Sequence, residues 1–120
     1  MSGRILVVDD SGLARRRARA ILEGAGFEVI EASDGLSALE TYLVQKPDVV
    51  LLDLVMQGMY GLEVLERLRE MDPAARVIVV SADIQTSSHE LVTAGGAAGF
   101  LVKPVDANEV LTLVRSALGE

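Results

Sequence analysis

Apolar runs of strand length alternate with longer segments of helical period from one end of the chain to the other. "RILVV" (4–8), "VVLL" (49–52), "VIVV" (77–80) and "GFLV" (99–102) are continuous apolar runs, the pattern of strands covered on both faces of a parallel sheet. "FEVIEA" (27–32) sets Phe27, Val29 and Ile30 against Glu28 and Glu31, which predicts an edge strand. Between the first two strands, Leu13, Ala14, Ala18, Ile21, Leu22 and Ala25 recur at three- and four-residue spacing. They predict an amphipathic helix that leaves Arg15, Arg16 and Arg19 largely outward. The same reasoning predicts helices near 36–45, 61–71, 87–95 and 107–118, stopped by signals such as "GAGF", "QKPD" and "MDPAA". Five βα units imply an α/β fold with a doubly wound, five-stranded parallel sheet. In such sheets ligands bind at the carboxyl ends of the strands, beside a topological switch point.

Composition narrows the setting. A chain of 120 residues, 50% of them apolar, fits one domain spanning 1–120. A formal net charge of -7 disfavours direct nucleic-acid binding, which rests on neutralising phosphates with a basic surface. No cysteine is present, so disulfides and thiolate metal sites are excluded. The apolar run in "MSGRILVVDD" is too short for a signal peptide or a membrane span, and a soluble cytoplasmic protein is expected.

Polar residues follow four of the five predicted strands: Asp9 and Asp10 after the first, Asp53 after the third, Ser81 after the fourth, and Lys103 with Pro104 after the fifth. The fold brings all of them to one edge of the sheet. Three crowded carboxylates raise one another's pKa unless a cation screens them, which implies a divalent metal. Oxygen ligands without nearby His or Cys favour Mg²⁺, which keeps waters and leaves positions for phosphate oxygens. Mg²⁺, Lys103 and Ser81 together offer the charge neutralisation that phosphoryl transfer needs, with Asp53 as nucleophile forming an aspartyl-phosphate.

"ILVVDDS", the Asp53 strand end, "VVSA" and "GFLVKP", in this order and at these separations, resemble the receiver domain of two-component response regulators. The resemblance covers essentially the whole chain and implies a flavodoxin-like (βα)5 fold of strand order 2-1-3-4-5. It also implies that Asp53 accepts a phosphoryl group from a phosphohistidine on a sensor histidine kinase or histidine phosphotransfer protein. Asp10, Asp53 and the main-chain carbonyl of Val55 would bind Mg²⁺ directly, with Asp9 acting mainly through water. Lys103 would pair with Asp53 at rest and with the phosphoryl oxygens afterwards, and its bond to Pro104 would be cis. Ser81 would shift toward the phosphoryl group while Phe100 turns inward. That would change the face of the fourth helix, fifth strand and fifth helix, which a downstream target protein or output domain reads. Self-catalysed phosphorylation and autodephosphorylation would be its whole chemistry, so the chain is not expected to be an enzyme acting on a separate substrate.

Departures fall in the loop after Asp53, where the family commonly has Met-Pro-x-Met-Asp-Gly and this chain has Met56, Gln57, Gly58, Met59, Tyr60 and Gly61. Gln57 and Gly58 predict a less rigid loop, and Tyr60 replaces the usual helix-capping aspartate. Val55 and Asp83 stand where the family tunes hydrolysis of the phosphoryl group. The first should not position a water, whereas the second, being acidic, is able to.

Plainer readings compete at several positions. Asp9 and Asp10 alone would pass for the start of a helix, and Phe100 for core. "ARRRAR" (14–19) reads as a solvated helix face ahead of a phosphate-binding or partner-docking patch. His89, the one histidine, reads as exposed and inert, and "AGGAAG" (94–99) as a helix stop and turn. A phosphorylation-independent interaction module is the main alternative function, disfavoured by the full set of five site side chains. A dehalogenase-type hydrolase wants Asp-x-Asp after the first strand, and a flavodoxin wants a Ser/Thr-Gly phosphate loop and stacking aromatics; neither is present. Ending at "SALGE", the chain reads as a stand-alone receiver ahead of a domain cut from a longer regulator or hybrid kinase.

Overall fold

A computed structural model describes residues 3–56, 60–82 and 93–120. In chain order the elements are β1 (Arg4–Val8), α1 (Gly12–Gly24), β2 (Glu28–Ala32), α2 (Gly35–Gln45), β3 (Val49–Asp53), α3 (Gly61–Met71), β4 (Val77–Ser81), β5 (Gly99–Val102) and α4 (Ala107–Ala117). The strands form one parallel sheet of order β2-β1-β3-β4-β5. Of the helix expected near 87–95, residues 87–92 lie outside the described residues, as do His89, Asp83, Gln57 and Gly58; Thr93 and Ala94 are helical.

Strand alternation sorts the core into two layers. Leu6, Val8, Val50, Leu52, Val77 and Val79 pack under α2 and α3 on one face. Ile5, Val7, Val49, Leu51, Ile78, Val80 and Leu101 pack under α1 and α4 on the other. Side-chain caps start three helices: Ser11 Oγ accepts from the Ala14 amide, Asp34 Oδ1 from that of Ser37, and Asp106 Oδ2 from that of Glu109. Such caps satisfy amides that have no partner inside the first helical turn. At α3 the N-cap is Tyr60, which makes no side-chain cap, as its replacement of an aspartate predicts. The Tyr42 hydroxyl donates to Asp72 Oδ2 at 2.7 Å, tying α2 to the end of α3, and burial together with that carboxylate pushes the phenol up to about 12.

Strand β5 is the second edge of the sheet, as the expected order implies, and its last residue, Val102, is 43% exposed. Two expectations are corrected. Leu13, assigned by its spacing to the inner face of α1, is 71% exposed, because it lies in the first turn where the helix overhangs the end of the sheet. Arg15 and Arg19 do not simply face solvent, since both form ion pairs with Glu31 on β2.

Leu68 of α3 is fully buried, whereas Leu43 of α2 is mostly exposed. Leu68→Ala is expected to lower unfolding free energy by about 2–5 kcal/mol through lost burial and the cavity left behind. Leu43→Ala should stay within about 0.5 kcal/mol of wild type. Urea denaturation of both variants checks the pair, and equal losses would contradict this packing.

Candidate functional site

The chain leaves β1 toward β2 on one side, while β3 pairs with β1 on the other, so the crevice at their carboxyl ends is the switch point of the sheet. Asp9 and Asp10 follow β1 there, and Asp53 is the last residue of β3. Asp9, Asp10 and Asp53 each offer a carboxylate oxygen within 4.8 Å of the other two, the one such acidic group found among the described residues. Asp9 and Asp53 are each only 5% exposed, and Asp10 is exposed.

Asp9 is held on several sides. Its amide donates to the Ala32 carbonyl at 3.2 Å, its Oδ1 accepts from the Ser11 amide at 2.9 Å, and its Oδ2 accepts from Lys103 Nζ at 2.8 Å. Asp53 Oδ1 accepts from the Val55 amide at 3.3 Å, and its Oδ2 lies 3.5 Å from Lys103 Nζ. The ammonium thus bridges both buried carboxylates. It pairs with Asp53, as the resemblance implies for the resting protein, and makes a shorter contact to Asp9 as well. Burial would pull the Lys103 ammonium down, but the hydrogen bond to Asp9 and the charges of both carboxylates outweigh it and raise its pKa. Burial first, and then the charge of Asp9, push the Asp53 carboxyl up from 3.8 to about 6, with Lys103 offsetting part of the rise.

Ser81 ends β4, one residue beyond Val80, which pairs with Asp53. It is fully buried, and its carbonyl accepts from the Lys103 amide at 2.9 Å, which fixes where the chain leaves β5. The Lys103–Pro104 bond is cis, as expected. Phe100 pairs with Val79, two residues before Ser81, so strand alternation puts Phe100 and Ser81 on one face of the sheet. Phe100 is half-buried against the α2–α3 layer, not fully core. Val55 follows β3 with its side chain exposed.

Two contributions were not legible in the sequence. Gly61 brings the start of α3 against the end of β3: its amide donates to the Leu54 carbonyl at 2.9 Å, and a Cβ there would lie 2.5 Å from the Asp53 carbonyl oxygen. Arg15 Nη1 donates to the Asp9 carbonyl at 2.6 Å. A glycine opening the helix that follows a strand-ending aspartate is a signal for the first; no sequence period signals the second. Beside the carboxylates an apolar cavity of about 650 Å³ extends between α1 and α4, lined by residues that include Leu13, Ala14, Arg17 and Val105.

A 2-1-3-4-5 parallel sheet with acids after β1, an aspartate closing β3 and a lysine after β5 defines a class, and this chain belongs to it: the response regulator receiver domain family, whose profile matches residues 5–115. Among relatives, it is 39% identical over 119 residues to the chemotaxis protein CheY of Bacillus subtilis, covering 98% of this chain and 99% of that one. It is 34% identical to the sporulation initiation phosphotransferase F of the same organism, over 98% of this chain and 95% of that one. A CheY-like response regulator receiver domain protein from Methanospirillum hungatei superposes with a TM-score of 0.93 at 26% identity, covering 99% of this chain and 95% of that one. The chain is therefore a receiver domain of two-component signalling. No helix among the described residues is long and apolar enough to cross a membrane.

Because the folded protein holds the Asp53 proton up to about pH 6 while an ordinary carboxyl releases it near 3.8, ionisation of Asp53 costs stability as pH rises through that window. Asp53→Asn is expected to be more stable than wild type by about 1 kcal/mol at about pH 8, with the difference vanishing below about pH 4. Urea unfolding across this range checks it; a less stable variant at the higher pH contradicts it.

Proposed function

We propose that this receiver takes a phosphoryl group onto Asp53 from a phosphohistidine of a sensor histidine kinase or histidine phosphotransfer protein, in a Mg²⁺-dependent reaction. The observation that carries the reading is the cluster of three carboxylates, two of which flank the ammonium of Lys103. Such a cluster has more negative charge than that lysine balances, and its all-oxygen donors suit Mg²⁺. Asp10, Asp53 and the main-chain carbonyl of Val55 are the direct ligands in this reading, with Asp9 acting through water. The metal supplies neutralisation of charge on the transferring phosphoryl oxygens.

An Asp53 carboxylate oxygen attacks phosphorus, the P–N bond breaks, and the imidazole nitrogen leaves with the electron pair. Lys103, already 3.5 Å from Asp53, moves its charge onto the phosphoryl oxygens, and the Ser81 hydroxyl donates to another. Phe100, sharing the face of Ser81, follows that movement, and the altered β5 edge is what a downstream target protein or output domain reads. Exposed Leu13 and the cavity beside α1 support approach of the donor past the first helix. The chemistry ends on the chain's own Asp53, so the domain is a phosphorylated switch and not an enzyme with a separate substrate. A cytoplasmic setting belongs to the same reading.

Incubation with acetyl phosphate and Mg²⁺, followed by intact-mass measurement, tests it. One phosphoryl group is expected on wild type, none on Asp53→Asn, and none when Mg²⁺ is chelated. Absence of labelling, or labelling that survives the substitution or the chelator, contradicts the proposal.

A further inference from the structure

The arginine run on α1 divides into two parts. Arg16 and Arg17 are exposed, and Arg17 Nη2 lies 3.3 Å from the Val105 carbonyl. Arg15 and Arg19 turn instead to the edge of the sheet, where they share Glu31: Arg15 Nε is 2.9 Å from Oε1 and Arg19 Nε is 2.7 Å from Oε2. Arg19 Nη1 also binds Glu23 Oε2 at 2.9 Å. Arg15 alone reaches further, through Nη1 at 2.6 Å to the main-chain carbonyl of Asp9.

That carbonyl belongs to the peptide plane whose nitrogen is the amide of Asp10. A donor fixed on the oxygen resists rotation of the plane, and with it any displacement of the Asp10 Cα and carboxylate relative to Asp53. Glu31 fixes the donor in turn, because a planar guanidinium held at Nε cannot pivot freely about its own stem. The positive charge of Arg15 is already matched by Glu31, whose carboxyl is held below the usual range chiefly by Arg19 and then by Arg15. Arg15 therefore acts on the cluster by direction more than by charge.

We propose that Arg15, braced by Glu31, is a positioning residue: it clamps the Asp9–Asp10 peptide and so sets the affinity of the acidic cluster for Mg²⁺. The inference rests on the Mg²⁺ reading above, and it concerns residues outside the set of acids, lysine and hydroxyl. Calorimetric titration of Mg²⁺ into the unphosphorylated full chain tests it, together with the amide resonance of Asp10 in metal-free protein. Arg15→Lys keeps the charge but lacks the fork that spans Glu31 and the Asp9 carbonyl. This variant and Glu31→Ala are each expected to bind Mg²⁺ about tenfold more weakly, the loss typical of groups that orient metal ligands, and to shift the Asp10 amide. Arg4→Ala, which breaks the Arg4–Glu28 pair at the other end of the same strands, should change neither readout. Wild-type affinity in either Arg15→Lys or Glu31→Ala overturns the positioning role while leaving the Mg²⁺ reading intact. Failure of the wild type itself to bind Mg²⁺ overturns both.

Discussion

Two carboxylates buried at the ends of adjacent central strands govern the rest of this molecule. Asp9 and Asp53 lie where β1 and β3 meet at the switch point, each almost fully removed from solvent, and the charge of Asp9 helps push the Asp53 carboxyl up. A lone buried carboxylate would protonate; two side by side do so more readily. Lys103 keeps the pair tolerable by bridging them, but one ammonium against two buried acids and Asp10 beside them leaves the cluster acidic. The same imbalance that costs stability is what the proposed divalent cation and phosphoryl group would answer.

Several distant pieces of chain hold this arrangement. Gly61 lets α3 begin against the last peptide of β3, where any side chain would collide with the Asp53 carbonyl. Ser81, at the end of β4, uses its carbonyl to fix the amide of Lys103 and thereby the departure of the chain from β5. Arg15 ties Asp9 to Glu31 on the outer strand β2, so even the edge of the sheet has a hand in the site. Each tether joins elements that the parallel sheet has already made neighbours, and this explains how four strand ends far apart in sequence act as one centre.

Strands and site were legible in the sequence to different depths. Continuous runs such as "VVLL" and "VIVV" have the signature of doubly covered parallel strands, and β3 and β4 are buried throughout. "GFLV" looks the same in sequence but is a less buried edge strand; its place followed from the strand order that the resemblance implies, because local period carries no information about order. Asp9, Asp10, Asp53, Ser81 and Lys103 were identifiable because polar residues ending apolar runs are conspicuous and the fold sends them to one side. What sequence could not settle was pairing. Lys103 prefers Asp9 over Asp53 by less than an ångström, and Arg15 meets Glu31 across sixteen residues of chain. Such contacts depend on side-chain reach between elements, which the helical wheel of α1 does not encode.

Asp9 and Asp53 repel each other inside one desolvated cluster. Carbon-detected NMR titration of the Asp53 carboxyl in wild type and in Asp9→Asn addresses it without metal or phosphoryl donor. In wild type the carboxyl should titrate near 6, and in the variant its pKa should fall, because the neighbouring charge is gone and Lys103 is released to Asp53 alone. An Asp53 pKa that is unchanged or raised by Asp9→Asn would contradict the account.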